Sequence, residues 1–249
     1  MNLTVLSYNI RYGGVGREKY LAAVIKESAP DIVVFQEATR PRVIERLAEE
    51  TSMHVWAARP GHSLAFISRV EIAHYDWHSP PGARHPFLEI VPAGTESRIF
   101  GLHLSAVHSN WTERRRVREL RALLKGIQQH QEGFHVLVGD FNTLAPGELL
   151  DARRLPARLR ALVWLSGGDI RWETISIMLA AGYLDGYRSL HPLDKGYSFP
   201  TWDPHLRLDY FFLPAPFIDR LKACEVGNNV PIAAQASDHF PLLARLDVA

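Results

Sequence analysis

The sequence has little cysteine, no long apolar run and almost no excess charge of either sign. Cys224 is its single cysteine, so neither an intrachain disulfide nor a cysteine-based metal cluster can form. No stretch approaches the roughly 18 consecutive apolar residues of a membrane span. The first ten residues, MNLTVLSYNI, lack the basic and apolar regions of a signal peptide. We therefore expect a cytoplasmic protein without integral membrane association, and the sequence implies no partner protein.

The remaining composition is that of an ordinary globular enzyme or binding protein. The 249 residues carry a formal net charge of +1, too little to predict long-range attraction to nucleic acid or membranes. Hydrophobic residues make up 47% and charged residues 22% of the chain, which is enough for a core of normal size. Without a low-complexity linker or an internal repeat, the sequence predicts one domain over residues 1–249.

Short runs of β-branched and aromatic residues alternate with segments of helical periodicity. Such alternation favours an α/β fold with a buried sheet. The predicted strands are Leu3–Tyr8, Ile32–Gln36, Leu64–Ser68, Arg98–Leu104, His135–Val138, Leu208–Leu213 and Leu242–Leu246. The predicted helices are Glu18–Ser28, Pro41–Glu50, Thr112–Gln131 and Trp172–Ala181.

An arginine- and leucine-rich insertion at about residues 144–171 interrupts this alternation. Leu155, Leu159 and Leu162 have the spacing of one helix face, and Gly167-Gly168 would end that helix. The pattern allows a helix packed on the sheet, a rim that borders a substrate groove, or a contact with a membrane surface.

Polar residues recur at the predicted C-terminal ends of apolar strands. Most of them alone fit an ordinary turn or helix start, but Asp209 on an apolar strand would need a partner or a cation. Strand ends converge at one edge of a sheet, so residues far apart in sequence can meet there. The candidate set is Asn9, Glu37, His103, Asp140, Asn142, Asp209, Asp238 and His239.

The chemistry of this set suits phosphoryl transfer. Its carboxylates and amides are the hard oxygen donors that Mg²⁺ prefers, and its histidines can stabilise charge or move protons near neutral pH. The serine-nucleophile motif GxSxG and the phosphate-binding loop GxxxxGK[ST] are both absent.

The order and spacing of these motifs resemble the endonuclease/exonuclease/phosphatase superfamily, which includes deoxyribonucleases, exonuclease-III-like abasic endonucleases and neutral sphingomyelinases. The matching strings are a QE, then GDFN, then LDY, and finally SDH. The resemblance implies a four-layer α/β sandwich in which two mixed β-sheets pack face to face between helices. It also implies a phosphoesterase that depends on Mg²⁺ or Mn²⁺ and acts on a phosphate ester.

The resemblance further implies a role for each residue. Glu37 would be the principal metal ligand, with Asn9 and Asp238 nearby. Asp140 would hold or activate the attacking water, and Asn142 would place the phosphate. His239 would bind the scissile phosphate, oriented by Asp209, and His103 would contact the phosphate or assist the leaving group.

The substrate remains open because no single branch of the superfamily fits. Abasic endonucleases carry an acidic residue two positions after the asparagine, where this chain has Arg11. Hydrolysis of a phosphodiester in nucleic acid or a nucleotide is the first hypothesis. A phospholipid head group or a phosphorylated small molecule is the second, and a non-catalytic binding module is the third.

The aromatic residues just before Asp209 in the sequence allow two interpretations. Tyr197, Phe199 and Trp202 lie in GYSFPTWDPH, just before the strand of Asp209, and could form a pocket wall or pack within the loop. Trp111 is expected to be a core residue or a hydrophobic staple of the following helix rather than a platform for bases.

Overall fold

The computed structural model describes residues 1–168 and 170–248, which form two six-stranded sheets packed face to face between helices. The order across the first sheet is β11 (Leu221–Val226), β12 (Leu242–Asp247), β1 (Asn2–Asn9), β2 (Ile32–Gln36), β4 (Ala65–Ser68) and β3 (Val55–Ala58). The order across the second is β5 (Ile72–His78), β6 (Phe87–Pro92), β7 (Arg98–His103), β8 (His135–Asp140), β10 (Asp209–Pro214) and β9 (Tyr183–Asp185).

Both sheets are mixed. The pairs β1–β2 and β7–β8 are parallel, and the other pairs are antiparallel. The expected four-layer α/β sandwich is therefore confirmed.

Helices lie around the two sheets. They are α1 (Glu18–Ser28), α2 (Pro41–Thr51), α3 (Asn110–Gly126), α4 (Ala157–Leu165), α5 (Thr174–Ala180), α6 (Gly186–Leu190) and α7 (Ala233–Ala236). Short 3-10 turns occupy Tyr12–Gly14, Gln128–His130, Ala152–Arg154 and Ala215–Arg220. Helix α2 packs on β3 and β4 of the first sheet, and α3 and α5 share a hydrophobic cluster with β7, β8 and β10 of the second. Among the described residues, no helix is both long and apolar enough to cross a membrane.

The inner faces of the two sheets approach each other closely. A Cβ atom on Gly101 of β7 would come within 2.6 Å of the Val34 side chain on β2. The core between the sheets is built from fully buried aliphatic and aromatic residues such as Val34, Val138 and Phe211. This packing fixes the ends of the central strands of both sheets relative to each other.

The seven predicted strands correspond to β1, β2, β4, β7, β8, β10 and β12, each within two residues at either end. The predicted helices correspond to α1, α2, α3 and α5, but α3 ends at Gly126 and only a 3-10 turn follows it, so the predicted end at Gln131 is wrong. Strands β3, β5, β6, β9 and β11 were not predicted.

The insertion folds as a 3-10 turn followed by α4, but the predicted leucine face is wrong. Pro156 has an extended backbone and precedes the first residue of α4, so Leu155 lies outside the helix. The buried residues here are Leu155, Val163 and Ile170, and Leu162 is only half-buried. The local cluster therefore combines one face of α4 with the chain on either side of it.

Candidate active site

The eight candidate residues lie where four strands end and two begin. Asn9, His103 and Asp140 close β1, β7 and β8, and Glu37 directly follows β2. Asp209 begins β10, which runs antiparallel to β8 and so places Asp209 opposite Asp140. Asp238 and His239 precede β12. One edge of the sandwich therefore collects residues from both sheets.

His239 and Asp209 form a buried pair, as expected from the sequence. His239 Nδ1 lies 2.8 Å from Asp209 Oδ2, and the Ser198 hydroxyl donates to the same oxygen at 2.6 Å. Phe199 packs on the imidazole with 4.8 Å between ring centroids. These contacts fix the ring of His239 and direct its Nε2 towards Asp140, 3.8 Å from Oδ2.

The Nε2 atom of His103 also lies 3.8 Å from the same oxygen of Asp140. Its Nδ1 is hydrogen-bonded to the hydroxyl of Ser63. The Ser63 oxygen also accepts the backbone N–H of Glu37 at 3.0 Å. If the hydroxyl proton is directed to His103, Nδ1 is an acceptor and the neutral ring carries its proton on Nε2.

Asp140 is buried and hydrogen-bonded on both oxygens. Its Oδ1 accepts the Asn142 backbone N–H at 2.8 Å, and its Oδ2 accepts the Asn9 side-chain amide at 3.0 Å. The same amide lies 3.4 Å from Glu37 Oε1. Asn9 thus joins the Asp140 carboxylate to the Glu37 carboxylate.

Glu37 and Asp238 are the two partly exposed carboxylates of the site. Glu37 has a left-handed backbone conformation, and its Oε2 accepts the Tyr12 N–H at 2.6 Å. Asp238 Oδ2 lies 3.2 Å from Arg11 Nε. Asn9 Oδ1 accepts the Arg11 N–H. The strand end that carries Asn9 therefore also organises the surroundings of both carboxylates.

The contacts of Asn142 are structural. This residue has a left-handed backbone conformation, and its side-chain amide donates to Leu104 O at 3.2 Å. That bond ties the loop after β8 to the loop after β7, so Asn142 fixes the position of Asp140 relative to His103.

The two histidines have opposite pKa shifts. Burial lowers the pKa of His103 to about 3, and the nearby His85 and His239 act in the same direction. Burial also disfavours charged His239, but Asp209 and Asp140 outweigh it and raise the pKa of that imidazole to about 10. Burial raises the pKa of Asp140 to about 7. At neutral pH the site accordingly pairs one neutral and one protonated imidazole.

One buried group among the described residues has the composition of a metal site. The ligand atoms of Asp140, Asp209 and His239 all lie within 4.8 Å of one another. This group differs from the set predicted from the sequence, in which Asn9, Glu37 and Asp238 hold the metal. Two of its three members already share a 2.8 Å hydrogen bond.

Several residues that support the site were not predicted. Ser63 is hydrogen-bonded to His103, and Ser198 donates to Asp209, the partner of His239. His85 stacks on His103 with 5.7 Å between ring centroids. Arg17 donates to the carbonyl oxygens of Ile10, Arg11 and Ala236, and so joins the loop after β1 to the segment before Asp238. A lone serine or arginine outside a motif gives no signal in the sequence; only the folded contacts identify these residues.

Comparison with solved structures shows the same fold at low identity. An AP endonuclease from Archaeoglobus fulgidus matches with a TM-score of 0.74 and 20% identity, covering 99% of this chain and 100% of that one. The 3′ phosphatase NExo from Neisseria, bound to a product DNA hairpin, has a TM-score of 0.71 and 17% identity over 98% and 99% of the two chains. An endonuclease/exonuclease/phosphatase from Beutenbergia cavernae matches at 0.74 and 20%, covering 100% of this chain and 72% of that one.

The sequence comparisons identify a family for the chain but no individual curated relative. Comparison with curated proteins finds no match. In contrast, the profile of the Endonuclease/Exonuclease/phosphatase family matches residues 6–239, a range that includes all eight candidate residues. The chain therefore belongs to the Endonuclease/Exonuclease/phosphatase family of hydrolytic enzymes.

Proposed function

We propose that the protein hydrolyses a phosphodiester bond in nucleic acid or a nucleotide and that it needs a divalent cation, Mg²⁺ or Mn²⁺. The observation that carries this proposal is the convergence of two histidines on one carboxylate. His103 Nε2 and His239 Nε2 each lie 3.8 Å from Asp140 Oδ2. A phosphate group beside that oxygen would therefore have two imidazole donors close to it.

Glu37 and Asp238 are the residues proposed to hold the cation. They are the partly exposed carboxylates of the site, and their oxygens match the preference of Mg²⁺. Asn9 steadies Glu37 through its amide and could offer its oxygen by rotation of the side chain. Asp209 is less suited to bind the cation, because its Oδ2 already accepts hydrogen bonds from His239 and Ser198. A bound cation would supply charge neutralisation at the phosphate.

Asp140 is the proposed general base. A carboxyl group with a pKa of about 7 accepts a proton from water at neutral pH more readily than an ordinary aspartate. The hydrogen bonds from Asn142 and Asn9 hold both of its oxygens in place. This fixed position lets Asp140 orient a water molecule for attack on the phosphorus.

The histidines are the proposed phosphate donors, and each has a different charge. His239 keeps its proton at neutral pH and can neutralise charge that develops on a phosphate oxygen. His103 stays neutral and can donate from Nε2 to another oxygen or to the leaving group. Asp209 is a positioning residue for His239.

Nucleic acid is the proposed substrate class because the similar structures include an AP endonuclease and a phosphatase bound to product DNA. Single-stranded DNA, duplex DNA, an abasic duplex, DNA with a 3′-phosphate, sphingomyelin and inositol phosphates form the decisive panel. Each is incubated with Mg²⁺, with Mn²⁺ and with excess chelator. We expect metal-dependent hydrolysis of at least one nucleic acid. Full turnover in chelator would contradict the proposed need for a divalent cation, and activity on sphingomyelin alone would contradict the proposed substrate class.

The cytoplasmic location expected from the sequence stays a prediction.

Asp140→Asn and His239→Ala test the assigned chemistry. Each substitution should lower kcat by about 100-fold or more and change KM less, because both groups act mainly in the transition state. Steady-state kinetics on the substrate identified by the panel measures both constants. The control is Asp76→Asn, which removes an exposed carboxylate on β5. A near-normal kcat in either test variant would contradict the assignment.

A further inference from the structure

Two exposed aromatic rings flank one guanidinium group at the edge of the site. Tyr12 is 77% exposed and Trp202 is 66% exposed. The Cζ atom of Arg11 lies 5.4 Å from the Tyr12 ring centroid and 6.0 Å from that of Trp202. Exposed tryptophan and tyrosine side chains are common at binding surfaces, because they offer a large rigid face to a ligand.

This aromatic group is attached to the proposed metal ligands. Arg11 pairs with Asp238, and the backbone N–H of Tyr12 donates to Glu37. The loop that carries Trp202 is joined to the same region, because the Thr201 N–H donates to Asp238 O at 3.0 Å. A substrate whose phosphate reaches Glu37 and Asp238 therefore places its neighbouring group beside Tyr12, Arg11 and Trp202.

The charge of this group discriminates between the possible substrates. Two aromatic rings alone would also suit the quaternary ammonium of a choline head group through cation–π attraction. Arg11 places a guanidinium within 6.0 Å of both ring centroids, and its positive charge disfavours such a cation. A nucleobase is planar, and it can stack on tyrosine, on tryptophan and on the guanidinium plane.

We propose that Tyr12, Arg11 and Trp202 form a stacking subsite for an unpaired nucleobase next to the scissile phosphate. This inference rests on the proposed function and narrows its substrate to single-stranded or locally unpaired nucleic acid. A base inside an intact duplex has both faces covered by its neighbours, so it cannot use the subsite unless it leaves the stack.

Dinucleotides that differ only in one base test the subsite. The reference has two normal bases, and each of two analogues carries a tetrahydrofuran sugar without a base on one side of the same phosphate. For one analogue we expect kcat/KM to fall at least about fivefold, the lower bound for a lost base–aromatic stack. The loss should appear mainly in KM, since stacking stabilises the bound substrate and the transition state alike.

Trp202→Ala should lower the ratio of kcat/KM for the reference and that analogue clearly towards one, and Trp202→Phe should largely restore it. Tyr12→Ala gives a second, independent reduction of the ratio. Trp111→Ala is the matched control, since it removes another exposed tryptophan, 57% exposed at the start of α3, and should keep the wild-type ratio. Circular dichroism verifies that each variant is folded.

The outcomes separate the subsite from the proposed function. Equal hydrolysis of the reference and both analogues by the wild type overturns the subsite and leaves nucleic-acid hydrolysis in place. Preference for a base-free analogue, or an unchanged ratio in Trp202→Ala, also overturns it. Hydrolysis of sphingomyelin with none of any nucleic acid overturns both proposals.

Discussion

At the scale of single residues, the partner of each histidine decides what that histidine can do. His239 faces a carboxylate 2.8 Å away and gains a proton, whereas His103 faces the neutral hydroxyl of Ser63 and remains uncharged. Both rings are buried, so burial alone would make both neutral. The difference gives the site two donors that do not repel each other strongly across Asp140.

Ser63→Ala tests how much the orientation of His103 contributes. The variant removes the partner of His103 Nδ1 and the acceptor for the Glu37 N–H, so kcat should fall about tenfold as the favoured tautomer is lost. ¹⁵N chemical shifts of the imidazole report that tautomer directly. Ser63→Thr keeps the hydroxyl and should restore most of the rate. A Ser63→Ala protein with unchanged shifts and unchanged kcat would show that Ser63 is structural only.

The candidate residues were predictable because each stands at the boundary of an apolar strand, in a motif with recognisable spacing. The residues that contact and orient them were not predictable. Ser63 precedes β4 without any motif, and it reaches His103 across 40 positions of the sequence. Trp111 was expected to be a core residue or a helix staple, and the core alternative is wrong. It is exposed, because the first turn of α3 presents it to solvent rather than to the sheet.

At the scale of elements, the strands that were predicted and those that were missed differ in position. Every predicted strand is interior to its sheet, where both faces are covered and the sequence is a run of apolar residues. The four edge strands β3, β5, β9 and β11 were all missed. Edge strands are short or carry polar side chains, as β5 does with the sequence IAHYDWH. The interior strand β6 was missed too, and it contains Glu89, which pairs with Arg98 and His78.

Strand β8 also depends on one glycine. Gly139 has a φ of 149°, and a Cβ atom there would lie 1.9 Å from Leu102 O on β7. Gly139→Ala should therefore lower the free energy of unfolding by at least about 3 kcal/mol, as other severe backbone clashes do. Urea unfolding measures the change. Gly61→Ala is the control: its φ is also positive, but open space surrounds it, so about 1 kcal/mol is expected. Equal losses of unfolding free energy in Gly139→Ala and Gly61→Ala would contradict the predicted clash.

The insertion contacts the loop that carries Trp202 of the proposed stacking subsite. Arg154 Nη1 is 3.4 Å from Asp203 Oδ1, in the loop that carries Trp202, and Arg153 and Arg158 are exposed. Replacing these three arginines with alanine should raise KM for a nucleic-acid substrate several-fold and weaken its salt dependence, since charges that attract phosphates are lost. Hydrolysis of bis-p-nitrophenyl phosphate should change little.

A second triple variant controls for the loss of charge alone. Arg42, Arg46 and Arg69 are exposed on the first sheet's side of the molecule, and their replacement by alanine removes the same charge. Equal increases of KM in both triple variants would indicate a general field effect. An unchanged KM in the insertion variant would indicate that residues 144–171 have a structural role only.

At the scale of the whole molecule, the site depends on contacts between distant parts of the chain. The Asn9 amide reaches Asp140 across 131 positions, and the Ser237 hydroxyl reaches Asn9 O across 228. Strand β1 pairs with β12 along six residues, from Asn2 opposite Asp247 to Ser7 opposite Leu242. This register places the end of β1 that carries Asn9 near the segment that carries Asp238. The local pattern of the sequence predicted which residues meet, but the two-sheet packing decides the distances between them.

His108 makes a contribution to stability that is lost in mild acid and that one variant can isolate. Burial, together with the charge of Arg116, lowers the pKa of His108 to about 4. The pKa of an unfolded histidine is about 6.5, so between these values the unfolded state binds more protons than the folded state. The stability contribution is therefore complete above about pH 6.5 and is lost as the pH falls towards 4.

His108→Leu removes this group and leaves the other titrations in place. Asp140, with its pKa raised to about 7, titrates in the same window with the opposite sign, so the absolute curve mixes several groups. The difference in the free energy of unfolding between wild type and variant cancels the contributions of the other groups. Urea unfolding should show that this difference shifts by about 2 kcal/mol in favour of the variant between pH 7 and pH 5. A difference that does not change with pH would mean that the folded state readily accommodates charged His108.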